Sequence, residues 1–202
     1  MIECKNSKPL IIACGLSGSG KTFNSLHLEK NLKGYHRLNP EIVREEMNIT
    51  AYSRKDTPRI LAHIIDRIEE LHNGNEGAIV DANLKSNDLR QSFYDLAKHL
   101  NEDVIVIEFI CPTEECKKRM TERTSLDGKI HHPVDPKIFD IQKKTWQDVA
   151  PDLELKGNDH VLLMRYDSSS GKAEAVRTND RHNEFINEIV LLLEQKETDI
   201  PK

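Results

Sequence analysis

Residues 15–22, GLSGSGKT, fit the pattern G-x-x-x-x-G-K-[ST] at every fixed position. Its three glycines let the backbone curl until successive N–H groups point inward, and the N-terminus of a following helix adds partial positive charge. Lys21 can then reach the β- and γ-phosphates of a nucleotide, and the Thr22 hydroxyl can ligate Mg²⁺. The stretch predicts a site for a nucleoside triphosphate with magnesium, made by Gly15, Leu16, Ser17, Gly18, Ser19, Gly20, Lys21 and Thr22.

Four classes of protein use such a loop: kinases, GTPase switches, motor ATPases and binding modules without activity. A GTPase needs a guanine-reading N-K-x-D, and the nearest stretches, GNDH at 157–160 and TNDR at 178–181, have no lysine. A motor ATPase needs a larger body and an acidic pair after its second motif strand, whereas the strand at 77–82 leads into DAN. Size and motif order favour a small phosphotransferase that uses ATP.

A carboxylate and an arginine follow the second predicted strand in the stretch LNPEIVREEM. Glu41 and Arg44 are three residues apart on a helix that begins at the end of a strand, so both can face the cleft. Glu41 can take a proton from an acceptor hydroxyl, and Arg44 can clamp an anionic group of that acceptor. An ordinary surface ion pair, worth about 0.2–0.5 kcal/mol, explains the same spacing. Spacing alone leaves both interpretations open.

Four motifs together resemble the small P-loop kinases related to polynucleotide 5′-hydroxyl kinases and zeta-toxin-like phosphotransferases. GLSGSGKT matches the phosphate loop of that group, and EIVR at 41–44 matches its D-x-x-R with glutamate in place of aspartate. VDANL at 80–84 is similar to the end of its third strand, and CPTEECKKRMTERT at 111–124 looks like its arginine-bearing lid helix. The resemblance spans residues 10–125.

This resemblance implies a role for each polar residue of the cleft. Glu41 stands where the group has its acceptor-contacting carboxylate and general base, and Arg44 where a phosphate beside the acceptor hydroxyl is gripped. Asp81 is expected to serve the metal with Thr22, and Asn83 to order the magnesium shell or the acceptor. The alternative for Asp81 is to cap the helix that begins near Ser86. The implied lid arginines, expected to neutralise charge during transfer, are Arg119 and Arg123. A surface ion-pair network with nearby glutamates is the alternative for both.

The implied cofactors are ATP and Mg²⁺, and the implied acceptor is the 5′-hydroxyl of RNA or DNA. Glutamate at position 41 is one methylene longer than the aspartate of the group, which allows a different acceptor. The stretch YSRKDTPRI at 52–60 is similar to stretches of adenylylsulfate kinases, so a sugar, nucleoside or sulfated nucleotide stays open. An ATP-binding regulator without transfer activity is a further alternative.

Apolar runs alternate with amphipathic segments, which predicts a single domain over residues 1–202. Strands are expected at 9–14, 35–38, 77–82, 103–111 and 160–166, the last of these being the final strand. Helices are expected at 21–33, 57–72, 87–100, 113–124, 135–149 and 181–195. Another helix is expected from 40, with Asn39 as its N-cap and Pro40 at its first position. This order predicts a three-layer α/β/α sandwich with a mostly parallel sheet, of the nucleoside kinase-like P-loop NTPase type. A helical lid and flap are expected at about 113–140, with His131 and His132 in an exposed loop.

Bulk composition is typical of a soluble chain. The formal net charge is −5 and the mean hydropathy −0.60, and the longest apolar runs, 104–111 and 186–193, are too short to cross a bilayer. The first ten residues have no apolar signal core, so a cytoplasmic protein with no membrane partner is expected. The negative charge provides no long-range attraction to a polyanion.

Overall fold

The computed structural model describes residues 8–49, 54–122 and 136–195. The strands in these ranges are β1 Leu10–Gly15, β2 Tyr35–Leu38, β3 Gly77–Asp81, β4 Val104–Ile110, β5 Val161–Asp167 and β6 Lys172–Arg177. The α-helices are α1 Lys21–Asn31, α2 Pro40–Glu46, α3 Thr57–Asn73, α4 Asn87–His99, α5 Thr113–Thr121, α6 Pro136–Lys144 and α7 Asn183–Glu194. Short 3-10 helices occur at Arg54–Asp56 and Ala150–Glu154. No helix within these ranges has the length and apolar composition needed to cross a bilayer.

All six strands form one sheet in the order β2-β3-β1-β4-β5-β6. The first five strands in this order are parallel, and β6 pairs antiparallel with β5. Parallel neighbours require crossover connections, and here helices supply them on both faces of the sheet. The predicted three-layer α/β/α architecture is therefore confirmed. The central strand β1 lies between β3 and β4, so its carboxyl end opens at the position where ligands of such sheets bind.

The sheet separates two apolar cores, because successive side chains of a strand point to opposite faces. Ile12 and Cys14 of β1 pack into the core that α2, α3 and α4 cover. Ile11 and Ala13 pack into the core that α1 and α7 cover. Burial on both faces explains why the strands appear in the sequence as continuous apolar runs. It also fixes the carboxyl end of β1 firmly in place.

Most predicted element positions hold, with differences at the ends of elements. Helix α2 begins as predicted, with Asn39 at its N-cap and its side-chain oxygen accepting from the backbone N–H of Glu41 at 2.8 Å. The prediction that 160–166 is the final strand is wrong, since β6 follows it. Strand β6 is at the sheet edge and largely exposed, so its sequence KAEAVR lacks the apolar run from which the other strands were predicted.

The predicted lid region also differs in detail. Helix α5 ends at Thr121 rather than at 124, and α6 ends at Lys144 rather than at 149. Within the lid and flap expected at about 113–140, the part assigned to the flap is 125–139, and its last residues form the first turn of α6. The remainder of that flap, with His131 and His132, lies outside the described residues.

A buried arginine joins α4 to the segment after α6. Arg90 is fully buried and donates to both carboxylate oxygens of Asp152, at 2.6 and 3.1 Å. It also donates to the backbone carbonyls of Leu84, Gln147 and Asp148, at 2.9–3.1 Å. Leu84 is in the loop after β3, so this one side chain fixes the loop that follows the predicted site residues Asp81 and Asn83.

Replacing Arg90 with alanine is expected to lower the free energy of unfolding by about 3–5 kcal/mol, because Asp152 would be left as a buried, unpaired carboxylate. Thermal or chemical unfolding of the purified variant measures this loss. Ser92→Ala on the exposed side of the same helix is the control and should stay close to wild type. Equal stability of the two variants would contradict the assigned role of Arg90.

Candidate active site

The segment between β1 and α1 forms a tight loop around its own backbone. Gly18 and Gly20 adopt positive φ angles of 79° and 91°, a conformation in which glycine is favoured. At Gly18 a Cβ atom would lie 2.3 Å from the carbonyl oxygen of Cys116 in α5, so only glycine fits there. Helix α1 starts at Lys21, directly after Gly20, so the loop leads into a helix N-terminus. The positive end of the α1 dipole is therefore directed at this loop.

The ammonium group of Lys21 lies folded over this loop. Only 9% of Lys21 is exposed, and its Nζ donates to the carbonyl oxygen of Leu16 at 2.9 Å. The backbone N–H of Ser19 donates to the same carbonyl at 3.2 Å. The Ser19 hydroxyl is buried and has no hydrogen-bond partner within the part of the chain that the structure describes. The loop therefore contains a buried cation, the Lys21 ammonium, and a buried Ser19 hydroxyl that has no hydrogen-bond partner among the described residues.

Asp81 connects the loop to the second strand. Its Oδ2 accepts from Arg37 Nη1 at 2.9 Å and from Asn39 Nδ2 at 3.1 Å, while its Oδ1 lies 3.5 Å from the Thr22 hydroxyl oxygen. The side chains of Asp81 and Arg37 are 1% and 4% exposed. Asp81 thus does not cap α4, whose N-cap position is Ser86. It is brought together with Thr22, as the sequence predicts.

Arg37 and Asn39 were not recognised as site residues from the sequence. One available signal was a charged residue within the short strand YHRL, because a buried arginine requires a carboxylate partner. The other was the predicted N-cap role of Asn39, which uses only the oxygen of its amide. The amide nitrogen remains, and it donates to Asp81.

The Thr22 and Asp81 oxygens are a suitable donor set for magnesium. Mg²⁺ takes oxygen ligands, commonly one or two from the protein, with water and phosphate completing the octahedron. Oδ1 of Asp81 faces Thr22, whereas Oδ2 takes the bonds from Arg37 and Asn39. Across residues 8–49, 54–122 and 136–195 no group of three His, Cys, Asp or Glu side chains could hold a metal ion. The pair fits a nucleotide-borne Mg²⁺ rather than an all-protein metal cage.

The predicted acceptor residues lie on α2 and in the loop after β3. Glu41 is exposed and Arg44 is partly buried on the same short helix. The Asn39 side chain accepts from Glu41 N and donates to Asp81, so it connects the start of α2 to the buried carboxylate. Asn83 has a buried amide oxygen with no hydrogen-bond partner among the described residues. Asn39 therefore links the helix that carries Glu41 and Arg44 to the buried Asp81.

Arg119 of α5 contacts the turn between β5 and β6. Its Nε donates to Glu115 at 2.8 Å, and its Nη1 and Nη2 donate to the hydroxyl and carbonyl oxygens of Ser168 at 2.8 and 3.2 Å. Ser168 in turn lies beside Gly20, where a Cβ atom would come within 3.3 Å of the serine Cβ. Arg119 therefore makes the ion pair with Glu115 that the surface alternative predicts. It also lies close to the phosphate loop through Ser168, as the lid role requires. Arg123 lies outside the described residues.

Two ionisable groups near Arg119 have shifted pKa values. Hydrogen bonds from the hydroxyl and the backbone N–H of Ser169 and from Ser170 lower the pKa of Asp167, so the carboxylate holds the turn that presents Ser168. Burial raises the pKa of the Cys116 thiol to about 12. Cys116 is consequently a neutral packing residue at neutral pH and not a nucleophile.

Comparisons with known proteins agree with this geometry. Residues 10–147 match the sequence model of a family described as an AAA domain. Among curated proteins none matches the sequence. Kti12 of Chaetomium thermophilum, solved with ADP-AlF3, has a similar structure, with a TM-score of 0.58 and 16% identity over 90% of this chain and 97% of that one.

Two further structures of similar fold are an APS kinase and an RNA repair complex. APS kinase CysC of Mycobacterium tuberculosis, solved with AMPPNP and APS, has a TM-score of 0.54 and 16% identity over 91% of this chain and 97% of that one. The Pnkp1/Rnl/Hen1 RNA repair complex gives 0.55 and 22% over 68% of this chain and 44% of that one. At these identities the similarity shows a shared fold.

Gly18→Ala tests the close contact between the loop and α5. The positive φ and the collision with the Cys116 carbonyl are expected to cost about 1–3 kcal/mol of unfolding free energy. Gly74→Ala, at a position with a φ of −77°, is the matched control and should change stability far less. Chemical denaturation of both variants measures the difference. A Gly18→Ala protein as stable as wild type would show that the loop does not pack as described.

Proposed function

We propose that this chain, which belongs to the AAA domain family and has the fold of a P-loop kinase, transfers the γ-phosphoryl group of Mg·ATP to a hydroxyl acceptor. The single observation that carries this proposal is the buried Lys21 ammonium lying across a glycine-rich backbone loop, with Thr22 and Asp81 beside it. A cation and the N–H groups at the N-terminus of a helix match a polyphosphate in charge and in hydrogen bonding.

The nucleotide is proposed to be ATP, held by residues Gly15–Thr22. Binding would draw Lys21 from the Leu16 carbonyl to the β- and γ-phosphates. The absence of a guanine-reading N-K-x-D supports adenine over guanine. The structures of Kti12 with ADP-AlF3 and of APS kinase with AMPPNP show that this fold accommodates adenine nucleotides. Ser168 and Arg119 are the residues placed to border the nucleotide beside Gly20.

Magnesium is proposed to be held by Thr22, directly, and by Asp81, directly or through water. When bound, the ion supplies neutralisation of charge on the β- and γ-phosphates. Arg37 and Asn39 keep the Asp81 carboxylate in one orientation by occupying Oδ2, which leaves Oδ1 directed at Thr22. Preorganised ligands of this kind do not need to reorganise when the nucleotide binds.

Transfer is proposed to be an in-line displacement. The acceptor oxygen forms a bond to the γ-phosphorus while the bond from that phosphorus to the bridging oxygen breaks, and ADP leaves. Glu41 receives the proton of the acceptor hydroxyl, and Arg44 holds an anionic group next to it. Arg119, with Arg123, neutralises charge on the transferring group. The protein thus contributes position and charge rather than covalent chemistry.

The acceptor that we propose first is the 5′-hydroxyl of RNA or DNA, because the resemblance to polynucleotide 5′-hydroxyl kinases implies that Arg44 grips a phosphate next to that hydroxyl. A chain of similar fold also occurs in the Pnkp1/Rnl/Hen1 RNA repair complex. The second candidate is a small metabolite such as a sugar, nucleoside or adenylylsulfate. It is favoured by the longer Glu41 arm and by the structural similarity to APS kinase bound to APS. The third candidate is a regulator that binds ATP without transferring its phosphoryl group.

Lys21→Ala is expected to lower the rate of phosphoryl transfer by about 10²–10³-fold or more, because the transferring charge would lose its closest cation. The measurement is acceptor-dependent release of ADP from ATP. Lys30→Ala, an exposed lysine in the last turn of the same helix, is the control and should retain full activity. Undiminished turnover by Lys21→Ala would end the proposal.

Arg44→Ala is expected to raise the KM for the acceptor by about tenfold while leaving the KM for Mg·ATP nearly unchanged, because Arg44 is proposed to contact the acceptor alone. The assay is a screen with labelled ATP over 5′-hydroxyl oligonucleotides, nucleosides, sugars and adenylylsulfate.

Added salt separates the acceptor classes in the same screen. Phosphorylation of an oligonucleotide should weaken steeply as salt rises, whereas that of a metabolite with one charge should not. Tight ATP binding without acceptor-dependent ADP release from any of these compounds would favour the regulator instead.

A further inference from the structure

The side chain of Gln142 in helix α6 forms a hydrogen bond with the phosphate loop. The backbone N–H of Ser17, the third residue of the loop, donates to Gln142 Oε1 at 3.2 Å. These residues are 125 positions apart in the sequence. We propose that Gln142 is a positioning residue that holds the phosphate loop ready for nucleotide, an inference that rests on the proposed function of that loop.

The contact matters because it acts on the same peptide group as Lys21. The N–H of Ser17 and the C=O of Leu16 belong to one planar peptide unit. Gln142 accepts from the N–H end of this unit, and Lys21 Nζ donates to its C=O end at 2.9 Å. Rotation of the unit would therefore break both bonds together. Before nucleotide binds, the Gln142 bond thus fixes the direction of the carbonyl on which the Lys21 ammonium rests. It does not involve that ammonium, so it can go on holding the peptide when Lys21 moves to the phosphates.

The chemistry of the partner sets the orientation of the glutamine amide. A backbone N–H can only donate, so the Gln142 oxygen must face Ser17 and its NH₂ must point elsewhere. An acceptor is thus the group that position 142 has to supply. A side chain of similar size that cannot accept a hydrogen bond would fill the space without holding the peptide.

Helix α6 is fixed firmly enough to make this contact specific. Its Phe139 is fully buried and packs with Cys116 and Met120 of α5. Lys143 Nζ donates to the Thr113 hydroxyl at 2.7 Å at the start of α5. Because Cys116 also packs directly against Gly18, α5 and α6 form one support for the phosphate loop.

The chain after α6 reaches the opposite side of the cleft. The Gln147 backbone N–H donates to the Lys85 carbonyl at 2.8 Å, and Gln147 Oε1 accepts from the backbone N–H of Asn87 at 2.7 Å. Lys85 Nζ also donates to the Thr145 hydroxyl at 3.1 Å. Residues 142–147 therefore connect the phosphate loop to the loop after β3. Gln142 is the residue of this connection that contacts the phosphate loop.

The test uses Gln142→Met, which keeps the size of the side chain but offers only a thioether sulfur, a weak acceptor, together with Gln142→Ala. Ile141→Ala is the matched control, since Ile141 is 49% exposed on the same helix. Two quantities are measured on the full chain: hydrogen exchange of the Ser17 amide without nucleotide, and the Kd for Mg·AMPPNP by calorimetry. Both Gln142 variants should exchange Ser17 faster and bind about fivefold to tenfold more weakly, the effect of one lost hydrogen bond. The control should match wild type in both.

Several outcomes would overturn the inference. Wild-type affinity in Gln142→Met would show that the side chain only fills space. Unchanged Ser17 exchange in both variants would show that the bond does not hold the loop, even in a chain that binds no nucleotide. Failure of the wild-type chain to bind Mg·AMPPNP at all would instead refute the proposed function. The two failures are therefore distinguishable.

Discussion

The buried carboxylate of Asp81 is the group on which the arrangement of the site depends. A carboxylate withdrawn from water is tolerated only when it is paired and hydrogen-bonded. Arg37 from β2 and Asn39 from the start of α2 satisfy one of its oxygens, and Thr22 from α1 approaches the other. Three separate elements are thereby fixed around one side chain. The proposed donor and acceptor halves of the cleft meet there.

The phosphate loop is supported from two sides. The parallel sheet holds its start, because β1 is central and buried on both faces. Helices α5 and α6 support its middle: the Cys116 carbonyl of α5 packs against Gly18, and Gln142 of α6 accepts a hydrogen bond from Ser17. A loop held in this way keeps its N–H groups in place before any ligand arrives. Preorganisation of this kind is what the binding of a highly charged, strongly hydrated phosphate requires.

Local patterns in the sequence were sufficient for much of this fold. The glycine spacing, the continuous apolar strands and the Asn39–Pro40 helix start can each be recognised within a short stretch of the sequence. Strand β6 could not be predicted, because an exposed edge strand has no apolar run. The contacts of Arg37, Ser168 and Gln142 were also missed. Each joins residues from distant segments, and only the folded sheet brings them together.

The central claim is that Lys21, Thr22 and Asp81 form one site for a metal-bound nucleotide. Its most direct measurement replaces Mg²⁺ with paramagnetic Mn²⁺ in the ATP complex and follows amide resonances by NMR. We expect strong broadening at residues 18–22 and at Asp81. The resonances of Gly77 and Asp103 should stay sharp, because they lie near the amino ends of β3 and β4, at the opposite edge of the sheet. Broadening centred anywhere else, or none at saturating ATP, would contradict it.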